Sequence, residues 1–283
     1  MIRTFAPPLW SQFVAALRQI RATATKPQTA STTRKIGHVT LAGAGPGSAD
    51  LITLRGLRLL QQADVVFYDR LADPALLDHV RPHAQKINVG KSPGNHILPQ
   101  SEINRLMIRA ASQGHRVIRL KSGDPGIFGR GAEEAAALDA AGIPWDIVPG
   151  VTAACAAAAS ARSFLTERRQ TERVIFATGH RREGEVTDWT EAATPGTTLA
   201  CYMAVAGATA LQSGLIAAGW PAAALVEVIS KAQTAQQSIA TCRLDALGIT
   251  CQSHPDLNPA ILLIRWPATA QVTQAARATI AAR

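Results

Sequence analysis

The segment His38-Val39-Thr40-Leu41-Ala42-Gly43-Ala44-Gly45-Pro46-Gly47, followed by Thr53–Gln62, decides the fold. Its first part is strand-forming and passes directly into a glycine-rich turn; Thr53–Gln62 then shows helical periodicity. A strand, a glycine turn and a helix in succession open a parallel α/β sheet, and glycines at such a turn let a ligand approach the backbone closely. The turn is not G-x-G-x-x-G, because Pro46 removes an N–H and fixes φ where a pyrophosphate needs donors. Taken alone, it reads as a turn first and a ligand loop second.

Working outward, short β-branched runs alternate with amphipathic segments. The pattern predicts strands at 38–43, 64–68, 86–89, 116–120 and 145–148, with helices over Thr53–Gln62 and Ser101–Ala111. Pro99 and Gly114 stand where the second helix should start and stop. A second set of strands is expected at 173–178, 197–203, 224–229, 238–243 and 260–265, with helices over Thr152–Ala161 and Ala206–Ala218. The predicted organisation is a basic N-terminal extension, 1–36, outside the fold, two α/β domains, 37–150 and 151–268, and a closing helix or tail, 269–283. The extension resembles an organelle transit peptide in its acid-free, amphipathic character, but the Ala-rich, Arg-over-Lys body favours a bacterial extension.

Composition narrows the function classes. The formal charge is +9, but residues 1–36 carry six bases and no acid, which leaves the rest only three bases in excess. Five Trp, two Tyr and six Phe offer little for base stacking, and no RNA-binding or zinc-finger pattern appears, so nucleic-acid binding is not expected. No stretch approaches the roughly 20 apolar residues of a membrane span, so a soluble, cytoplasmic protein is expected. Cys155, Cys201, Cys242 and Cys251 form no C-x-x-C pair, which predicts free thiols and no metal site; Cys155 and Cys201 are read as packing residues.

The chemistry-bearing motifs fall at the ends of successive predicted strands. They are Tyr68-Asp69-Arg70, Val89-Gly90-Lys91, Leu120-Lys121-Ser122-Gly123-Asp124-Pro125, Phe128-Gly129-Arg130-Gly131-Ala132-Glu133-Glu134, Val148-Pro149-Gly150-Val151-Thr152-Ala153-Ala154, Thr178-Gly179-His180 and Tyr202-Met203. Carboxyl ends of strands are where an open α/β sheet builds its site. Read without further context, Asp69 is a capping aspartate at a strand end, and Asp124 is as readily a turn residue of S-G-D-P as a ligand.

With these motifs in this order, the chain resembles the uroporphyrinogen-III C-methyltransferases, within the tetrapyrrole methyltransferases of siroheme, cobalamin and related synthesis. The resemblance covers about residues 37–266 and implies two αβα domains with S-adenosylmethionine in the cleft between them, and a homodimer. It implies that Pro46, Ser122, Gly123, Asp124, Ile127, Thr152, Ala153, Met203 and Ala232 border the S-adenosylmethionine, with Asp69 as proton acceptor and Lys91 as proton donor. The implied substrate is a polycarboxylate tetrapyrrole, for which Arg70, Lys91, Arg119, Lys121 and Arg130 are candidate anchors, with an ordinary surface salt bridge the commoner role for any single one of them.

Departures from the family pattern gather around the substrate rather than the cofactor. Gly90-Lys91-Ser92 stands for G-K-R, Ser122-Gly123-Asp124-Pro125-Gly126 for G-G-D-P-F, and Ser160-Ala161-Arg162-Ser163-Phe164-Leu165-Thr166-Glu167-Arg168 for Y-A-G-I-P-L-T-H-R. Three other readings stay open: a methyltransferase of a later precorrin, a relative of diphthine synthase, and a tetrapyrrole- or nucleotide-binding module that has lost catalysis.

Overall fold

The computed structural model describes residues 35–90, 98–179, 188–254 and 256–268. The chain divides into two compact units, Met1–Thr152 and Ala153–Arg283, each built on one five-stranded sheet. The boundary expected after Gly150 thus falls after Thr152. Of the expected extension only Lys35 and Ile36 are described, and the predicted 269–283 segment lies outside the described residues.

In the first unit β1 (His38–Gly43), β2 (Val65–Tyr68), β3 (Gln85–Asn88), β4 (Arg116–Lys121) and β5 (Trp145–Val148) are all parallel. Their order is β3-β2-β4-β1-β5, so every carboxyl end lies along one edge. Alternate residues of each strand point to opposite faces, and both faces are covered. Val39, Leu41, Phe67 and Val117 pack on Ile103, Leu106, Met107 and Ala110 of α2 (Gln100–Ser112) and Leu138 of α3 (Gly131–Ala140). Ala42, Val66, Ile118, Leu120 and Val148 pack on Leu60 of α1 (Leu54–Leu60) and on Leu76. Burial on both sides explains why these strands read as near-continuous apolar runs.

The helices begin and end for local reasons. Thr53, which periodicity placed inside α1, is its N-cap: the side-chain oxygen accepts the Gly56 N–H at 3.1 Å. The α2 helix buries Ile103, Leu106, Met107, Ala110 and Ala111, one stripe at helical spacing, between Pro99 and the Gly114 turn.

The second unit holds β6 (Arg173–Thr178), β7 (Thr197–Tyr202), β8 (Leu225–Ser230), β9 (Ser238–Arg243) and β10 (Ala260–Trp266) in the order β6-β7-β10-β8-β9. Only β6 and β7 pair in parallel; the other pairings are antiparallel. Leu199, Val226, Val228, Leu262 and Ile264 pack on Leu211 and Leu215 of α5 (Ala208–Ala217), Leu247 of α6 (Leu247–Gln252) and Trp220. The opposite face is covered by α4 (Ala153–Ser160), whose contacts run to β8 and β10. Each unit is therefore a helix–sheet–helix sandwich, the expected αβα architecture.

All four cysteines are free, and burial pushes the thiols of Cys201 and Cys251 up to about 12 and about 11. Cys155 corrects the sequence reading, because it is exposed. The buried face of α4 is made by Ala154, Ala156, Ala157 and Ala158, which leaves Cys155 on the opposite stripe with Ala159.

Candidate active site

Three loops meet at the carboxyl edge of the first sheet, and glycine is what lets them meet. A Cβ on Gly43 would stand 2.6 Å from the Gly150 Cα, and one on Gly150 would stand 2.2 Å from the Gly123 carbonyl oxygen. Gly45 and Gly123 form an isolated antiparallel bridge, with Gly123 N–H donating to the Gly45 carbonyl at 2.9 Å. The glycines of G-A-G-P-G, S-G-D-P and V-P-G-V thus join the ends of β1, β4 and β5 backbone to backbone. Gly123 has φ +70°, so a side chain there strains the backbone whether or not a ligand is bound. Pro46 is buried beside this junction, while Ser122 and Ile127 are half-buried within the following loop.

Asp124 braces the junction. Its Oδ1 accepts the Gly126 N–H at 2.8 Å and its Oδ2 accepts the Gly150 N–H at 2.9 Å. The turn reading of S-G-D-P is therefore met, and the same carboxylate fastens a second loop. Asp124→Ala should leave two amides without their acceptor and lower stability by about 1–3 kcal/mol, measured as a shift in the urea midpoint. An unchanged midpoint with lost cofactor affinity would make Asp124 a ligand instead of a brace.

Asp69 follows β2 on the same edge and caps no described helix through its side chain. Its Oδ1 accepts from Arg119 Nη2 at 2.5 Å. Arg119 Nε donates to Glu134 Oε1 at 2.9 Å, and Lys121 Nζ lies 3.0 Å from Glu134 Oε2. Gln100 Nε2 also donates to Glu134 Oε1, at 3.1 Å. Side-chain exposure is 4% for Arg119, 3% for Lys121 and 0% for Glu134, against 29% for Asp69. Burial opposes the Arg119 charge, but Asp69 and Glu134 more than offset it and its pKa is raised. Burial and the neighbouring Arg119 hold the Lys121 ammonium below the usual lysine range.

This arrangement decides between the anchor and the salt-bridge readings of three basic residues, Arg119, Lys121 and Arg130. Arg119 and Lys121 continue the inward row of Val117 on β4 and are sealed into ion pairs, so they are not free anchors for a substrate carboxylate. Arg130 is exposed and pairs with Glu133 at 2.7 Å, and Arg70 is exposed. Lys91 and Ser92 lie outside the described residues. Glu134, quoted in the F-G-R-G-A-E-E motif, was assigned no role by sequence reasoning. The available signal was a strand with Arg and Lys two apart among apolar neighbours, which requires a buried carboxylate.

In the second unit β7 and β8 both run antiparallel to β10, so their carboxyl ends share one edge. Met203 follows β7 with φ +53° and is half-exposed. Ala232 follows β8 between Lys231 and Gln233, with φ +47° and +62°. Non-glycine residues held in this region are strained and gather at functional sites. The Tyr202 hydroxyl accepts the Ala154 N–H at 3.2 Å, which satisfies one open amide at the start of α4, next to Ala153. Of the residues implied to border the cofactor, Pro46, Ser122, Gly123, Asp124, Ile127 and Thr152 belong to the first unit and Ala153, Met203 and Ala232 to the second. Among the described residues no group of three or more His, Cys, Asp or Glu side chains is placed to hold a metal ion, and no helix is long and apolar enough to cross a membrane.

Residues 38–248 match the family model described as Tetrapyrrole (Corrin/Porphyrin) Methylases. The chain is 48% identical over 229 residues to a siroheme synthase of Sodalis glossinidius, covering 81% of this chain and 48% of that protein. It is 47% identical over 231 residues to the siroheme synthase of Zymomonas mobilis, covering 81% and 49%. The chain therefore spans about half the length of the curated relatives it matches. Among solved structures, a cobalt precorrin-4 methyltransferase is similar with TM-score 0.72 and 30% identity, covering 82% of this chain and 96% of that one. The uroporphyrin-III C-methyl transferase of Thermus thermophilus, complexed with S-adenyl homocysteine, is similar with TM-score 0.69 and 32% identity, covering 81% and 92%. With its two αβα units and with the family model running from β1 into α6, the chain belongs to the tetrapyrrole (corrin/porphyrin) methylases and is a methyltransferase of that family.

Proposed function

We propose that this chain methylates carbon atoms of uroporphyrinogen III, giving precorrin-1 and then precorrin-2, with S-adenosylmethionine as donor. The observation that carries this reading is Asp69, a carboxylate at the carboxyl edge of a parallel sheet held in one orientation by the buried Arg119. The Y-D-R, V-G-K and F-G-R-G-A-E-E set supports the uroporphyrinogen branch, as do the relatives named siroheme synthase.

The residues present fit the donor. S-adenosylmethionine is a small zwitterion with a sulfonium centre, and it supplies an activated methyl group. It needs an apolar wall, close access to backbone amides and clear space behind the methyl. In the first unit Ile127 offers apolar surface in the loop that follows the Gly45–Gly123 bridge; in the second, Ala153 and Ala232 are small and Met203 is polarisable. Because the leaving group is already activated, the protein's part is mainly positioning. Asp69 would accept the proton released after methylation, and Lys91 would supply one. We read the working form as a homodimer without metal.

Purified protein incubated with labelled S-adenosylmethionine and enzymatically made uroporphyrinogen III should yield a product heavier by one and then two methyl groups, identified by mass and fluorescence. No transfer to uroporphyrinogen III, with transfer to a later precorrin, would move the chain to the second reading. That reading is favoured by the likeness to the cobalt precorrin-4 methyltransferase.

A further inference from the structure

We propose that Glu134 is a positioning residue for methyl transfer: from inside the first unit it grips Arg119 at Nε, so that Nη2 of the same guanidinium fixes the Asp69 carboxylate. The inference rests on the reading of Asp69 as proton acceptor and names the group through which that residue is held.

The cluster contains two cations and two carboxylates, and three of these four groups are sealed from solvent. Removing an ion from water costs several kcal/mol, and well-packed apolar residues often replace a buried ion pair at no loss of stability. Stability alone therefore gives no reason for Arg119, Lys121 and Glu134 to lie under the sheet edge. What the cluster does accomplish is geometric. Glu134 sits on α3 with its Oε1 shared between Arg119 Nε and Gln100 Nε2, and Gln100 Nε2 in turn reaches Asn104 Oδ1 at 3.0 Å. Arg119 is further pinned by donating Nη1 to the Leu120 carbonyl at 3.3 Å. A guanidinium fixed at Nε and Nη1 has one direction left for Nη2, and that direction ends on Asp69 Oδ1.

Lys121 gives the device its second purpose. Its ammonium holds the other Glu134 oxygen, and its stem lies against the 125–130 loop, since a Cβ on Gly129 would stand 3.2 Å from Lys121 Cε. Glu134 thus sets the height of that loop and the aim of Asp69 together. A group displaced by about 1 Å from its productive position can lose 10²-fold in rate.

The test is a double-mutant cycle between Glu134→Gln and Asp69→Asn, read as single-turnover methyl transfer to uroporphyrinogen III at saturating substrates. Affinity for S-adenosylhomocysteine is measured beside it by calorimetry. Glu134→Gln keeps the side-chain shape and removes the charge that fixes Arg119. The expected result is a fall of about 10- to 100-fold with the affinity unchanged within about threefold, and less than threefold further loss when Asp69 is already Asn. An equal fall in both backgrounds, or none in either, overturns the positioning role. A rate for Asp69→Asn alone within about threefold of wild type overturns the reading of Asp69, and the inference with it. Should Glu134→Gln not fold, Arg119→Lys serves the same cycle, because an ammonium keeps the charge but cannot span both carboxylates. A loss confined to the background that retains Asp69 supports the proposal, and a loss independent of Asp69 overturns it.

Discussion

Asp69→Asn is expected to slow methyl transfer to uroporphyrinogen III by about 10²–10⁴-fold in a single turnover at saturating substrates, with affinity for S-adenosylmethionine almost unchanged. The substitution preserves size and leaves an oxygen that can still accept from Arg119 Nη2. What it removes is the ability to take up a proton. The strand-end geometry is held by the backbone, where Asp69 N–H donates to the Leu120 carbonyl at 3.1 Å, so the loop should keep its place. A capping aspartate would give a different result, since Asn caps nearly as well and the rate would stay near wild type. Lys91→Met is expected to behave in the same way as Asp69→Asn. A rate for Asp69→Asn within about threefold of wild type would remove Asp69 from the catalytic set.

Gly150→Ala should carry the largest cost in stability of any single methyl addition discussed here. The added Cβ would stand 2.2 Å from the Gly123 carbonyl oxygen and 2.9 Å from the Gly43 Cα, and both obstacles are backbone. No rotamer change relieves such a contact, so the ends of β1, β4 and β5 must move apart. Overpacking of this kind costs about 1–3 kcal/mol and sometimes more. For a domain of this size each kcal/mol lowers the melting temperature by roughly 2–4 °C. Gly142→Ala is the comparison, because its φ is +65° but nothing lies within 4 Å of the new Cβ. That variant should show only the conformational penalty, about 1–2 kcal/mol. The junction also carries Asp124 and Gly123, so Gly150→Ala should weaken S-adenosylmethionine binding while Gly142→Ala should not. Calorimetric melting and titration of the two variants provide the check, and equal behaviour would show that the junction is not tightly packed.

Much of the fold was legible in the sequence for a physical reason. Parallel strands are short apolar runs, and the turns after them are marked by glycine, so 38–43, 145–148 and 173–178 were bounded as the structure has them. The antiparallel edge strand 238–243 was bounded equally well, from its short β-branched run. Of the remaining strands, 64–68, 116–120, 197–203 and 260–265 differ by one residue at one end, whereas 86–89 and 224–229 are shifted by one residue at both ends. The Ala-rich α4 was equally readable as a helix, but its orientation was not. Ten residues of nearly uniform hydrophobicity carry no stripe, so nothing in 152–161 told that Cys155 would face outward.

The site was legible as a set of loops and not as a set of contacts. Motif order along the chain determined which loops gather at the carboxyl edge, because in a parallel sheet every strand ends on the same side. The sequence by itself determined the two α/β units, the family and the identity of the motif residues. Only the tertiary structure decided which charges are free and which are spent on one another. Arg119 and Lys121 looked like anchors because their partner, Glu134, lies on α3 and reaches them only once that helix packs on the sheet. Asp124 became a brace by the same logic, since its second amide comes from Gly150 beyond α3 and β5. Pairing between side chains distant along the chain is set by how helices and strands stack. Local periodicity and propensity carry no information about it.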